Sequence, residues 1–151
     1  MAVKNGLFML LSTTPSVASL IAPAPNSAPG TGIYFSLAVK QAARPYVVLH
    51  LITSSPAEKS LDGSSSLTRG RFQFDSYADD ATTARQLSQA IRAFLQDFSG
   101  ALPDETVVTF THVHSDQDDA FEQGGIGYLY RSMLDIEGFY TEPLVAGTPG
   151  N

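Results

Sequence analysis

The chain has 151 residues, 43% of them hydrophobic and 16% charged, and a net charge of −6. That is long and apolar enough for one packed core, which excludes a disordered polar chain, and nine scattered Lys and Arg exclude the clustered cations that wrap a phosphate backbone. Cysteine is absent, which removes disulfides, thiolate zinc ligands and a cysteine nucleophile.

Lys4 and the apolar run 6–11 imitate the start of a secretory signal, but the run is short for one and residues 12–15 interrupt it. Leu7 and Leu11, with Phe8 between them, mark a short helical stripe over 3–11. Thr14 reads as an N-cap with Pro15 at the first helical position, giving a further turn or two through Leu20. The stretch "APAPNSAPGTG" (22–32) is loop chemistry, because its prolines remove donors and its glycines permit unusual backbone angles. No run approaches the ~20 apolar residues of a membrane-spanning helix.

Strands follow. Residues 33–38 form one, and "YVVLHLITS" (46–54) forms a stronger one, β-branched and almost continuously apolar, as in a central strand covered on both faces. Residues 55–66 are a polar loop with Asp62-Gly63 as its turn signal. "LTRGRFQFDSYA" (67–78) alternates, sending Phe72 and Phe74 one way and Arg71, Gln73 and Asp75 the other.

Asp79 or Asp80 caps the most regular helix, running through Phe98. Its apolar positions Ala84, Leu87, Ala90, Ile91, Phe94, Leu95 and Phe98 make a single face that needs a sheet to lie on. Gly100 stops it, with Pro103 just beyond. A strand over 106–115 places Val108, Phe110 and His112 on one side. "DQDDAFEQGG" (116–125) reads as an acidic hairpin loop, and 126–140 as the last strand. The segment 141–151 has no periodicity. The expected fold class is α+β: a mostly antiparallel sheet of four to five strands, one long helix packed on a face, and short N-terminal helices. A single domain is expected over 1–140, with a C-terminal arm or tail at 141–151.

The sequence carries few patterns that could do chemistry. "THVHSDQDD" (111–119) opens like a His-x-His-x-Asp metal motif, but Gln117 stands where another His is required, and His50 is the only third imidazole. A calcium loop fails because Ala120 and Phe121 replace a ligand and the turn glycine. The plainer reading is a strand entering a solvated turn. "GTGIYF" precedes a strand rather than following one and lacks the third glycine of a dinucleotide fingerprint. The serines at 64–66 beside Asp-Gly read as a loop rather than a nucleophile. Arg69 and Arg71, on one strand face, suit an anion or, more simply, an ion pair. The residues give no catalytic set, no metal site and no cofactor.

At "SLDGSSSLTRGRFQFDSYAD" the chain resembles the tail-completion, or tail-terminator, proteins of long-tailed bacteriophages and prophages. The likeness continues in order through "STTPSVASLI", "GIYF", "ARPYVVLHLI", "ARQLSQAIRAFL" and "GYLYRSMLDIEGFY". It implies a non-enzymatic virion protein of the tail and neck, assembled in the host cytoplasm. Such a subunit forms a hexameric ring that caps the head-proximal end of the tail tube. Its implied partners are other copies of itself, the tail tube protein and the head connector or stopper, with DNA only as passing cargo and no membrane. Alternatives are another neck protein, such as a stopper or head-completion protein, or a metal-dependent hydrolase using His112 and His114. Phe35 departs from the family pattern, where proline often follows "GIY". Candidate interface or channel-loop residues are Asp62, Gly63, Arg69, Arg71, Asp116, Asp118, Asp119 and Glu122. The four acids at 116–122 either repel passing DNA from a channel wall or are simply solvated.

Overall fold

The alternation read in 67–78 becomes a strand at the middle of a sheet, with the other elements laid beside it or upon it. The computed structural model describes residues 2–27, 30–38, 42–59, 66–96, 98–122 and 127–141. In chain order these form α1 (Ala2–Thr13), α2 (Pro15–Ala18), β1 (Ile33–Phe35), β2 (Tyr46–Lys59), β3 (Ser66–Ala78), α3 (Ala81–Leu95), β4 (Ser99–Ala101), β5 (Val107–Glu122) and β6 (Tyr128–Thr141). The strand order is β1-β2-β3-β6-β5-β4. No helix among the described residues is long and apolar enough to cross a membrane.

The architecture differs from the expected four to five antiparallel strands and long helix. The sheet has six strands and is mixed, because β1 runs parallel to β2. The chain leaves β1 through Ser36, which has a φ of 66°, and enters β2 at the end where β1 begins. β4 occupies the site read as a helix stop: the chain turns at residues 102–106, where Glu105 has a φ of 73°, and pairs back on β5. α3 is only 15 residues long and ends at Leu95, with Gln96 already extended (ψ 125°). The acidic segment 116–122, read as a loop, is the second half of β5 and stays paired with β6 through Glu122. The expected arm beyond Thr141 lies outside the described residues.

The helix nevertheless has its apolar stripe where the spacing put it. Asp80 caps α3: its Oδ1 accepts from the Thr83 backbone N–H at 2.7 Å, and its Oδ2 from the Thr83 hydroxyl at 2.9 Å. These two bonds hold the carboxyl below its usual pKa, as expected of a charged N-cap. Ala84, Leu87, Ser88, Ile91 and Leu95 are buried on one face of α3. They pack mainly on β6 and β3, in one cluster with Phe72, Phe74, Leu134 and Ile136. Val3, Leu7 and Leu11 of α1 join the same cluster.

Two devices bend this sheet. First, β5 has 16 residues against 14 in β6. The two extra residues appear as register shifts, one between Phe110 and His112 and one between Val113 and Ser115. β2 carries two further shifts against β3, at Leu51/Thr53 and Pro56/Glu58. Bulges of this kind increase local twist and bend a strand. Second, Gly70 and Gly138 face each other across β3 and β6. A Cβ on Gly138 would stand 2.8 Å from the Thr109 carbonyl oxygen, and one on Gly70 would stand 2.7 Å from the Tyr140 ring. The space they leave takes the aromatic group of Phe72, Phe110 and Tyr140, whose neighbouring ring centroids are 5.9 Å apart. Glycine inside a strand marks just such a close approach.

Ile91→Ala is expected to lower unfolding free energy by about 2–5 kcal/mol, the cost of a buried cavity. Urea unfolding of the purified protein measures this; a loss under about 1 kcal/mol would contradict the placement of α3 on the sheet.

Candidate functional site

Among the described residues the sheet has a helix-covered face and an open face, and the register assigns its charged residues to one or the other. Because neighbouring strand residues alternate, Phe72 and Phe74 share the helix face with their β6 partners Ile136 and Leu134. Arg71, Gln73, Asp75 and Tyr77 therefore line the open face, beside Glu137, Asp135, Met133 and Arg131.

The bulges in β5 change what the alternation reading implied. Phe110 pairs with Gly138, but His112 pairs with Glu137, so the inserted residue sends His112 to the opposite face from Phe110. The imidazoles of His112 and His114 lie edge to face with centroids 4.7 Å apart, and His114 Nε2 is 2.7 Å from Glu137 Oε1. Among the described residues no group of three or more His, Cys, Asp or Glu is placed to hold a metal ion.

The acids of β5 divide between the two faces. Asp116 reaches α3, where its Oδ1 accepts from Arg85 Nη1 at 2.6 Å and its Oδ2 from Arg92 Nη1 at 3.1 Å. Its side chain is 14% exposed. Asp118, on the same face, takes Arg85 Nη2 at 3.0 Å and the Ser132 hydroxyl at 2.6 Å. Asp119 lies on the open face and accepts two bonds from Arg131, whose guanidinium also sits 4.7 Å from the Phe121 ring centroid. Glu122 is exposed at the strand end. The three aspartates are met by arginines of α3 and β6, which lets an acidic run persist as a strand.

Arg71 forms a two-pronged pair with Asp135, Nε to Oδ1 at 2.9 Å and Nη2 to Oδ2 at 2.7 Å, and this pairing raises the already high pKa of the guanidinium. Arg69 lies 3.8 Å from Glu137 and 5.5 Å from the Phe139 ring centroid. Asp62 and Gly63 fall outside the described residues.

Two hollows remain. The larger, about 560 Å³, runs over the open face between residues 36–38 and Phe121, floored by His50, Asp75, Tyr77 and Arg131. At its base Asp75 is buried, with His50 Nε2 at 3.4 Å and Gln73 Nε2 donating at 2.8 Å. Burial pushes the Asp75 carboxyl up, against the opposing pull of Gln73, His50 and Arg131. Tyr46 and Tyr77 stack beside it at 4.9 Å. The smaller hollow, about 210 Å³, is a recess at the outer edge of β5 between α3 and strand residues 110–113. Sequence reading found the Arg69 and Arg71 face but missed Asp75, His50, Arg85, Arg92 and Arg131. Only the polar side of an alternating strand hinted at Asp75, and nothing local signalled partners 24 or 31 residues apart.

A family model described as "Tail completion protein gp17" matches residues 5–141. No curated protein matches the chain. Among solved structures, the fold is similar to a chain of the "Virion of native gene transfer agent (GTA) particle", with a TM-score of 0.59, 17% identity, and coverage of 92% of this chain and 94% of that one.

The raised Asp75 pKa sets a pH dependence. The folded state binds this proton more tightly than the unfolded chain, so its contribution to stability is fully present below the ordinary carboxylate range, about pH 4, and is lost as pH rises through the raised folded value. Asp75→Asn is expected to remove that loss. Urea midpoints across the acid-to-neutral range should fall less with pH than in the parent protein; an unchanged slope would contradict the assignment.

Proposed function

The chain belongs to the tail completion protein gp17 family, and from that premise we propose that it is the subunit of a homo-oligomeric ring, six-membered, that closes the head-proximal end of a tail tube. The family makes it a structural protein of the virion tail; the ring, its stoichiometry and its place at the joint are the proposal. The ring would meet the tail tube protein on one side and a head connector or stopper on the other, with DNA passing through as cargo.

The observation that carries this reading is the extent of the family match, which takes in every strand of the sheet. The fold shared with a chain of a gene transfer agent virion supports a particle-building role. The arginine and carboxylate side chains are spent on one another in structural pairs, as suits a scaffold. For Asp116 and Asp118 this favours clamping α3 to the edge strand over lining a channel, because their charge is met by Arg85 and Arg92.

Electron microscopy of particles carrying a labelled copy of this chain tests the proposal. The label is expected at the head-proximal end of the tail with six-fold symmetry, and particles assembled without the chain are expected to have free heads beside tails of uncontrolled length. A label at the tail tip or inside the head would overturn it, and a label on the head side of the joint would transfer the chain to the stopper role.

A further inference from the structure

The two outer edges of the sheet are stepped, and the steps match. β1 covers only Val47–Leu49 of β2, with one more bond from the Ser36 N–H to the Leu49 carbonyl. Among the described residues, the outer edge of β2 is unpaired from His50 onward. At the other side β4 covers only Val107–Thr109 of β5, extended by a bond from the Phe110 N–H to the Phe98 carbonyl. Among the described residues, the edge of β5 is therefore open from Thr111 to Glu122.

The registers place these steps at different heights. β1 lies on the rows that run from Ile33–Phe35 through Val47–Leu49, Phe74–Ser76 and Ser132–Leu134 to Asp116–Asp118. β4 lies on the row that runs from Ser99 through Thr109, Phe139 and Arg69 to Ser55. A second copy set beside the first at the same height brings its projecting β1 against the open stretch of β5. The projecting β4 of the first copy then meets the open stretch of β2 on the second. β5 and the incoming β1 run antiparallel, since each step from β2 to β5 reverses direction, and this is the favoured sense of pairing.

Side chains agree with the fit. The only charged residues in positions 1–57 are Lys4, Lys40 and Arg44, all cationic, whereas positions 93–130 hold seven acids and no Lys or Arg. Lys4 Nζ lies 5.5 Å from the Phe35 ring centroid, and Phe35 shares its row with Asp116, so the arrangement carries a cation toward the Asp116 end of the acidic stretch of the next copy. Arg85 and Arg131 offset part of the acidic charge behind β5, which leaves apolar contact as the main adhesive and charge as the guide to which edge meets which. Leu37, 83% exposed, follows β1 at the step, and Ile52, 43% exposed, marks the bulge of β2. Ile52 stands at the height of the 210 Å³ recess beside Phe110 and Val113.

The geometry points to a head-to-tail contact between copies of this chain, with the β1–β2 edge of one seated on the β4–β5 edge of the next. It rests on the ring reading above and supplies its joint: a heterologous contact, which closes into a ring when its rotation permits.

The absence of native cysteine gives a clean test. Ser55→Cys and Ser99→Cys lie at the two ends of one row, roughly 19 Å apart within a copy at ordinary strand spacing, too far for a bridge inside one chain. Under an added oxidant, mixing the two single variants is expected to give a mixed disulfide dimer at least about tenfold above the homodimer of either alone. Adding Lys4→Glu to both variants should lower that yield severalfold. Homodimers as abundant as the mixed dimer, or no mixed dimer in concentrated protein and in assembled particles alike, would overturn the stepped contact. The tail reading fails separately: mixed coupling in purified protein, with no label on tails, keeps the contact and removes the ring's place, whereas labelled tails without coupling do the reverse.

Discussion

The constraint on which the rest depends is a mismatch in length between two paired strands. β5 spends two more residues than β6 to cover the same distance, and each extra residue turns the following side chains to the other face. Either shift alone would turn Asp116 and Asp118 away from α3; the two together send His112 to the open face and return Asp116 and Asp118 to the face of Phe110, where Arg85 and Arg92 meet them. With both shifts in place, one side of the strand binds the helix and the other binds Arg131. The helix is held to the sheet by an apolar stripe along its middle and by ion pairs along its margin. Removing Asp116 would leave Arg92 without a carboxylate and Arg85 with Asp118 alone.

Much of the helix and of the central strands was legible in the sequence, because their periods are intact. Leu87, Ile91 and Leu95 fall on the buried face that their spacing implies, and Phe72 and Phe74 oppose Arg71 and Gln73 as alternation requires. The acidic segment was not legible. Three aspartates and a glutamate within seven residues look solvated when read locally, and the arginines that make them strand residues come from elsewhere in the chain. β1 and β4 have three residues each, too few to carry a period, and the parallel course of β1 depends on the chain entering β2 at the end where β1 begins. Of the candidate site residues, Arg71 was legible as an ion-pairing cation. The buried Asp75 was not, since its environment is built by β2, β3 and β6 together.

These features describe a building block. The charged groups are committed to holding elements together, and the open face keeps a broad hollow with an apolar rim. Among the described residues, the sheet edges, the usual hazard of a β protein, are largely uncovered on both sides. A monomer with that profile is balanced between solubility and association, which suits a component of a virion tail.

One consequence follows from where β6 lies. It is the last strand among the described residues, yet it sits between β3 and β5, and its partner Phe72 is 64 positions earlier than Ile136. During synthesis, the aromatic and aliphatic residues of β3 wait for residues 128–141 to leave the ribosome before the interior can close. Such late, distant pairing slows folding and leaves sticky intermediates exposed. A product that stopped before residue 128 would lack not an ornament but a strand at the middle of the sheet.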